Sequence, residues 1–180
     1  MNEKIKNVYC KSAELLEAVQ TERERVDTDG QLKDFISLKY MASVIHNELC
    51  REFYYLVSNP TRGQSKLMSL GIIILKLFEA HRWYKGIGNK NLIILAKKRG
   101  MEEILNKKLS EIKLIKPSRI EKYATYRNTL SGHYDNDFPE KLQSFGTLDS
   151  ENFFSDIELM VRYSQEWLKI LDSVGKLEAG

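Results

Sequence analysis

Residues 35–56 read FISLKYMASVIHNELCREFYYL. Within them Phe35, Leu38, Ala42, Ile45, Leu49, Phe53 and Leu56 recur at steps of three and four, which lays them along one side of an α-helix. A helix with one apolar side must bury it against another element. The turn Ser58-Asn59-Pro60 ends the pattern, because proline supplies no amide hydrogen and cannot continue a helix.

The same periodicity recurs on either side. Ile5, Val8, Leu15, Leu16 and Val19 form a looser stripe in a first helix that should end near Thr28-Asp29-Gly30. A third helix carries Leu67, Leu70, Ile74, Leu77, His81 and Tyr84, with Ile72 and Ile73 widening its buried face, and should break at Gly86-Ile87-Gly88. A basic fourth helix is expected from Asn89 to Lys108, interrupted at Gly100, and a fifth from Arg119 to Ser131 with Ser118 as its cap. Asp135 to Ser150, holding Pro139 and Gly146, reads as a loop. The last helix repeats Phe153, Ile157, Met160, Val161, Ser164, Trp167, Leu168, Leu171 and Val174. No alternating strand pattern and no internal repeat interrupts this series. The expected fold is all-α: one domain over residues 1–180, an up-and-down bundle of five or six helices with antiparallel neighbours.

Composition narrows the function classes. A chain of 180 residues with 42% apolar and 29% charged residues matches ordinary globular usage. The longest apolar run, Leu70 to Leu75, is too short to cross a bilayer. The charged start MNEKIKNVYC does not read as a secretory signal. Cys10 and Cys50 form no CxxC pair, so a cytoplasmic location without disulfides is expected. The net charge of +3 conceals a gradient. Gly88 to Lys122 holds ten Lys/Arg against four Asp/Glu, whereas Asp135 to Gly180 holds four against ten. The basic stretch suits a polyanionic partner, or else two solvated helix faces of opposite sign.

The residues from Arg127 to His133 carry the chemistry. In a fifth helix Ile120, Tyr123, Ala124, Arg127, Leu130 and Ser131 share one face. Arg127 there needs a carboxylate, carbonyl groups or an anionic ligand, because a guanidinium keeps its charge. Gly132 allows a bend, without which Arg127 and His133 would sit about 120° apart around the axis. An arginine stabilises charge on phosphate oxygens, and a histidine with a free pKa of about 6.5 moves a proton. The alternative is structural: Arg127 paired with Glu48 or Glu79, and His133 bonded to a terminal carbonyl.

Arg127-Asn128-Thr129-Leu130-Ser131-Gly132-His133 resembles the motif of the HEPN superfamily, an Arg followed after a few residues by His, with a polar residue straight after the Arg. The continuation His133-Tyr134-Asp135 is similar to bacterial abortive-infection and toxin-type members. The resemblance implies a homodimer whose two motifs share a cleft, and a metal-independent endoribonuclease in which an RNA 2′-hydroxyl attacks the adjacent phosphorus. On that reading Arg127 holds the phosphate, His133 transfers a proton and Asn128 orients the substrate. No cofactor is implied. The partners implied are RNA, a second copy and an antitoxin protein; the alternative within the family is a non-catalytic dimerisation or regulatory module.

Other groupings are weaker. His46 and Cys50, four apart, offer two ligands where a tetrahedral metal site needs four, and read as a structural pair. His81 reads as a core histidine. Asp135-Asn136-Asp137 reads as a polar turn. Trp83-Tyr84 and Tyr123 with Tyr126 suit either base stacking or packing.

Overall fold

The structure, a computed structural model, describes residues 2–26, 31–58, 64–124, 126 and 150–175. It is an all-α bundle, with no strand among the described residues. In chain order the helices with described bounds are α1 (Asn2–Arg25), α2 (Gln31–Ser58), α3 (Gln64–Trp83), a π-helical turn (Tyr84–Gly88), α4 (Asn89–Lys98), α5 (Glu102–Glu111), α6 (Pro117–Glu121) and α7 (Ser150–Gly175).

Cross-helix contacts give the topology. Tyr9 stacks on Tyr54, Ser12 bonds Asn47 and Glu22 pairs with Lys39, so α1 runs antiparallel to α2. Lys76 with Glu48, and the Tyr84 hydroxyl with the Ala42 carbonyl, set α3 antiparallel to α2. Phe53 with Phe154, His46 with Ser164, and Lys39 with Asp172 set α7 antiparallel to α2 as well. The stretch 35–56 is therefore the central element. All its stripe residues are buried except Ile45, which is half-buried. Every stripe residue of α7 from Phe153 to Val174 is buried, and the described buried apolar residues form one cluster.

The chain departs from the expected outline in four places. The third helix does not break at Gly86-Ile87-Gly88; it widens into the π-helical turn and continues into α4. Gly88 makes this possible: a Cβ there would lie 2.6 Å from the Trp83 ring, so only glycine seats that indole. The interruption at Gly100 does occur, with φ +67 at that residue separating α4 from α5. Ile72 does not widen the buried face but is 41% exposed, while Ile73 is fully buried. The helix expected over Arg119 to Ser131 starts earlier, with Pro117 in its first turn and Lys116 as N-cap, and Ser118 caps nothing. That first segment closes at Glu121, Lys122 and Tyr123 form a turn, and Ala124 and Tyr126 are helical again. The expected loop from Asp135 lies outside the described residues up to Ser150, which begins α7.

Candidate functional site

Residue-by-residue geometry fixes the approach to the Arg127 segment. Ile112 and Lys116 are both extended, with ψ 136 and ψ 137. A residue before proline is driven out of the helical region, so Lys116 ends the extended stretch and Pro117 opens α6. Ile115 and Ile120 are buried on either side of this start, and His81 Nε2 donates to the Ile115 carbonyl at 3.0 Å. Burial lowers the His81 pKa; the bond to Ile115 opposes that shift and the nearby Lys85 charge adds to it. His81 is thus a satisfied core histidine.

Two residues then reach across to α7. The Tyr123 hydroxyl donates to Asp156 Oδ2 at 2.6 Å, and its ring packs edge-on against Phe153. Arg119 Nη2 lies 2.6 Å from Asp156 Oδ1, an ion pair by distance whose angle is outside hydrogen-bond alignment. Asp156 is 1% exposed, and a carboxylate so buried needs such partners to remain charged at acceptable cost. Reading the sequence alone missed this carboxylate, which figured only in the acidic tally of the C-terminal part. A signal was present: Asp156 falls on the stripe Phe153, Ile157, Met160, an acid among buried apolar positions.

Arg127, Asn128 and His133 lie outside the described residues, as do Asp135, Asn136 and Asp137. The described chain reaches Tyr126, half-buried against the core, directly before Arg127. Glu48 and Glu79, the two carboxylates named above beside Arg127, share one lysine. Lys76 Nζ lies 3.2 Å from Glu48 and 3.0 Å from Glu79.

Half of the basic stretch serves the fold. Lys97 pairs with Glu102, Lys98 with Asp34 and Arg119 with Asp156. Arg99 donates to the Val174 carbonyl at 2.6 Å, and Lys108 to the Ser173 hydroxyl at 2.9 Å. Lys113, Lys116 and Lys122 are exposed around α6, the element that leads to Arg127.

His46 and Cys50 are buried in a polar seam between α1, α2 and α7. Ser164 donates its proton to the Val161 carbonyl, so His46 Nδ1–H is the donor in the 2.7 Å contact with Ser164 Oγ. Burial pushes the His46 pKa down to about 4 and the Cys50 thiol up to about 12, the latter against a bond from Ser12. The pair is neutral on both sides near neutrality. That suits a packed interior and not a nucleophile, which requires thiolate. No group of three or more metal-ligating side chains occurs among the described residues. Trp83, Tyr84, Tyr163 and Trp167 form one edge-to-face cluster, and Tyr123 is held by Asp156 and Phe153, so these aromatics pack the bundle.

No family model, curated protein or solved structure matches the chain. Among the described residues no helix is long and apolar enough to cross a membrane.

Proposed function

We propose that this chain is a HEPN-type endoribonuclease that works as a homodimer, a toxin or phage-defence component held in check by an antitoxin protein. The observation that carries the reading is the sequence Arg127-Asn128-Thr129-Leu130-Ser131-Gly132-His133, which resembles the motif of that superfamily. One feature supports it. The residues just before the motif are tied to α7 through Arg119, Tyr123 and Asp156, a firm base for a positioned side chain.

The proposed reaction is transesterification. The ribose 2′-oxygen bonds to phosphorus, the bond from phosphorus to the 5′-oxygen breaks, and a 2′,3′-cyclic phosphate forms. His133 moves the proton between the 2′-hydroxyl and the departing 5′-oxygen. Arg127 binds the non-bridging oxygens as charge develops on them, and Asn128 orients the nucleotide.

The test is cleavage of a mixed RNA pool in EDTA by wild type, His133→Ala and Arg127→Ala at matched folding and oligomeric state. Cutting by wild type that falls at least 100-fold (about the contribution of a positioned acid–base group) in both variants supports the reading. Equal cutting by all three contradicts the site. A wild type that does not cut assigns the chain to the non-catalytic dimerisation or regulatory alternative.

A further inference from the structure

The described surface carries a second feature, which the ribonuclease reading does not use. Between α2 and α4 runs an open groove of about 580 Å³, floored by Leu38 and Trp83 and walled by Met41, Ile87 and Ile94, with Asp34 and Lys98 at one end. Met41, Ile87 and Ile94 are 45%, 63% and 43% exposed. Contiguous exposed apolar side chains of this size mark interaction surfaces more often than idle ones. The groove adjoins the π-helical turn, which carries Ile87 on its outer side while Gly88 seats the Trp83 ring beneath. Such turns recur at functional positions.

Its charge selects the occupant. From Lys85 to Arg99 the chain holds five cations and no acid. Lys90, three residues after Ile87 and four before Ile94, is exposed on the same side of the helix and has no carboxylate within 4.0 Å among the described residues. Lys98 and Lys97 make only solvent-exposed pairs, with Asp34 and Glu102, which a competing acid displaces at small cost. Ile87, Asn91, Ile94 and Lys98 follow one another at helical spacing, and the eleven steps from Ile87 to Lys98 at about 1.5 Å each give a line of roughly 16 Å, about three helical turns.

We propose that this groove docks an acidic amphipathic helix of a partner protein, its apolar side laid on Met41, Ile87 and Ile94 and its flanking carboxylates set against Lys90 and Lys98. This is the helix-in-groove mode, in which apolar anchors at three-four spacing supply affinity and flanking charge supplies orientation. The other occupants fit less well. Two copies meeting through this face would oppose lysines to lysines. A bilayer favours a protruding apolar side, and this one is concave. Single-stranded RNA favours exposed aromatic platforms, and the one aromatic ring here, Trp83, is half-buried in the floor and packed on Tyr84, Trp167 and Gly88.

The experiment uses the full chain and a fluorescein-labelled synthetic helix with Leu at alternating three-four steps and Glu on both flanks, read by anisotropy. The expected result is saturable binding, weakened at least tenfold by Ile87→Asp and severalfold by Lys90→Glu. A second helix with Lys in place of Glu should bind Lys90→Glu better than it binds wild type. Both substituted side chains are exposed, and an unchanged melting temperature confirms that each variant folds. Trp83 emission should shift on binding, because its ring lines the groove. No saturable binding by wild type up to about 1 mM peptide, the weak end of measurable recognition, overturns the proposal. So does equal binding by Ile87→Asp, or a wild-type dimer that Ile87→Asp dissociates. Binding of anionic vesicles or of single-stranded RNA that the same substitutions abolish, without peptide binding, also overturns it.

Discussion

His46 and Cys50 show how burial alone decides a side chain's chemistry. Four apart on α2, they have the spacing of a ligand pair or a thiol with its base, yet both are held neutral in the interior. For His46 the folded pKa of about 4 lies below the unfolded value of 6.5. As pH falls through 6.5 the unfolded chain takes up a proton that the folded chain refuses, so stability declines between pH 6.5 and about 4 and then levels off. The linked loss is at most on the order of 3 kcal/mol. His81, also lowered, acts in the same direction. Urea denaturation at pH 7 and pH 4.5 should show a smaller acid loss for His46→Gln than for wild type; an identical loss would contradict the assignment. The thiols make a second test. Cys10 is exposed and Cys50 buried. A thiol reagent at pH 8 should modify one group per chain quickly and the other only after denaturant is added. The neutral state of this pair could not be read from the sequence, since it comes from burial between α1, α2 and α7, which only the packed bundle supplies.

At the scale of elements, periodicity carried the reading a long way. Residues 35–56 and the stripe from Phe153 to Val174 could be placed on buried faces because each shows one unbroken three-four pattern. The junction of α3 and α4 could not. Two glycines around one isoleucine are a helix breaker by local propensity, and what overrides this is the Trp83 ring filling the space that a Cβ on Gly88 would take. Gly88→Ala should therefore destabilise by about 1–3 kcal/mol, as overpacking does. Gly100→Ala meets no neighbour, but places a side chain at φ +67 and should cost about 1–2 kcal/mol for that reason alone. Melts in urea check both, and a neutral Gly88→Ala would remove the packing account of the π-helical turn. The turn at Lys122 and Tyr123 was equally hidden, because the partner of Arg119 and Tyr123 is Asp156, on α7. Tyr123→Phe removes one hydrogen bond to a buried carboxylate and should cost about 1.5–3 kcal/mol. The Arg–His motif was legible as a pattern of residue types; its three proposed functional residues lie outside the described part of the chain.

Across the described residues, charge is divided between side chains paired within the bundle and side chains left exposed. Lys97, Lys98, Arg99, Lys108 and Arg119 are engaged within the fold, while Lys113, Lys116 and Lys122 stand exposed on the approach to Arg127. If these three contact RNA phosphates, replacing all three by Ala should flatten the salt dependence of single-strand binding by about 2 in log–log slope. It should leave the melting temperature nearly unchanged, since none of them packs in the core. The ribonuclease reading itself is tested most directly by the ends of the cleaved strands. RNA cut by wild type in EDTA should carry 2′,3′-cyclic phosphate and 5′-hydroxyl ends, and a 2′-deoxy nucleotide at the cut site should block the reaction. Ends bearing 3′-hydroxyl and 5′-phosphate, or cutting that ignores the 2′-deoxy substitution, would contradict an attack by the 2′-oxygen and with it the roles proposed for Arg127 and His133.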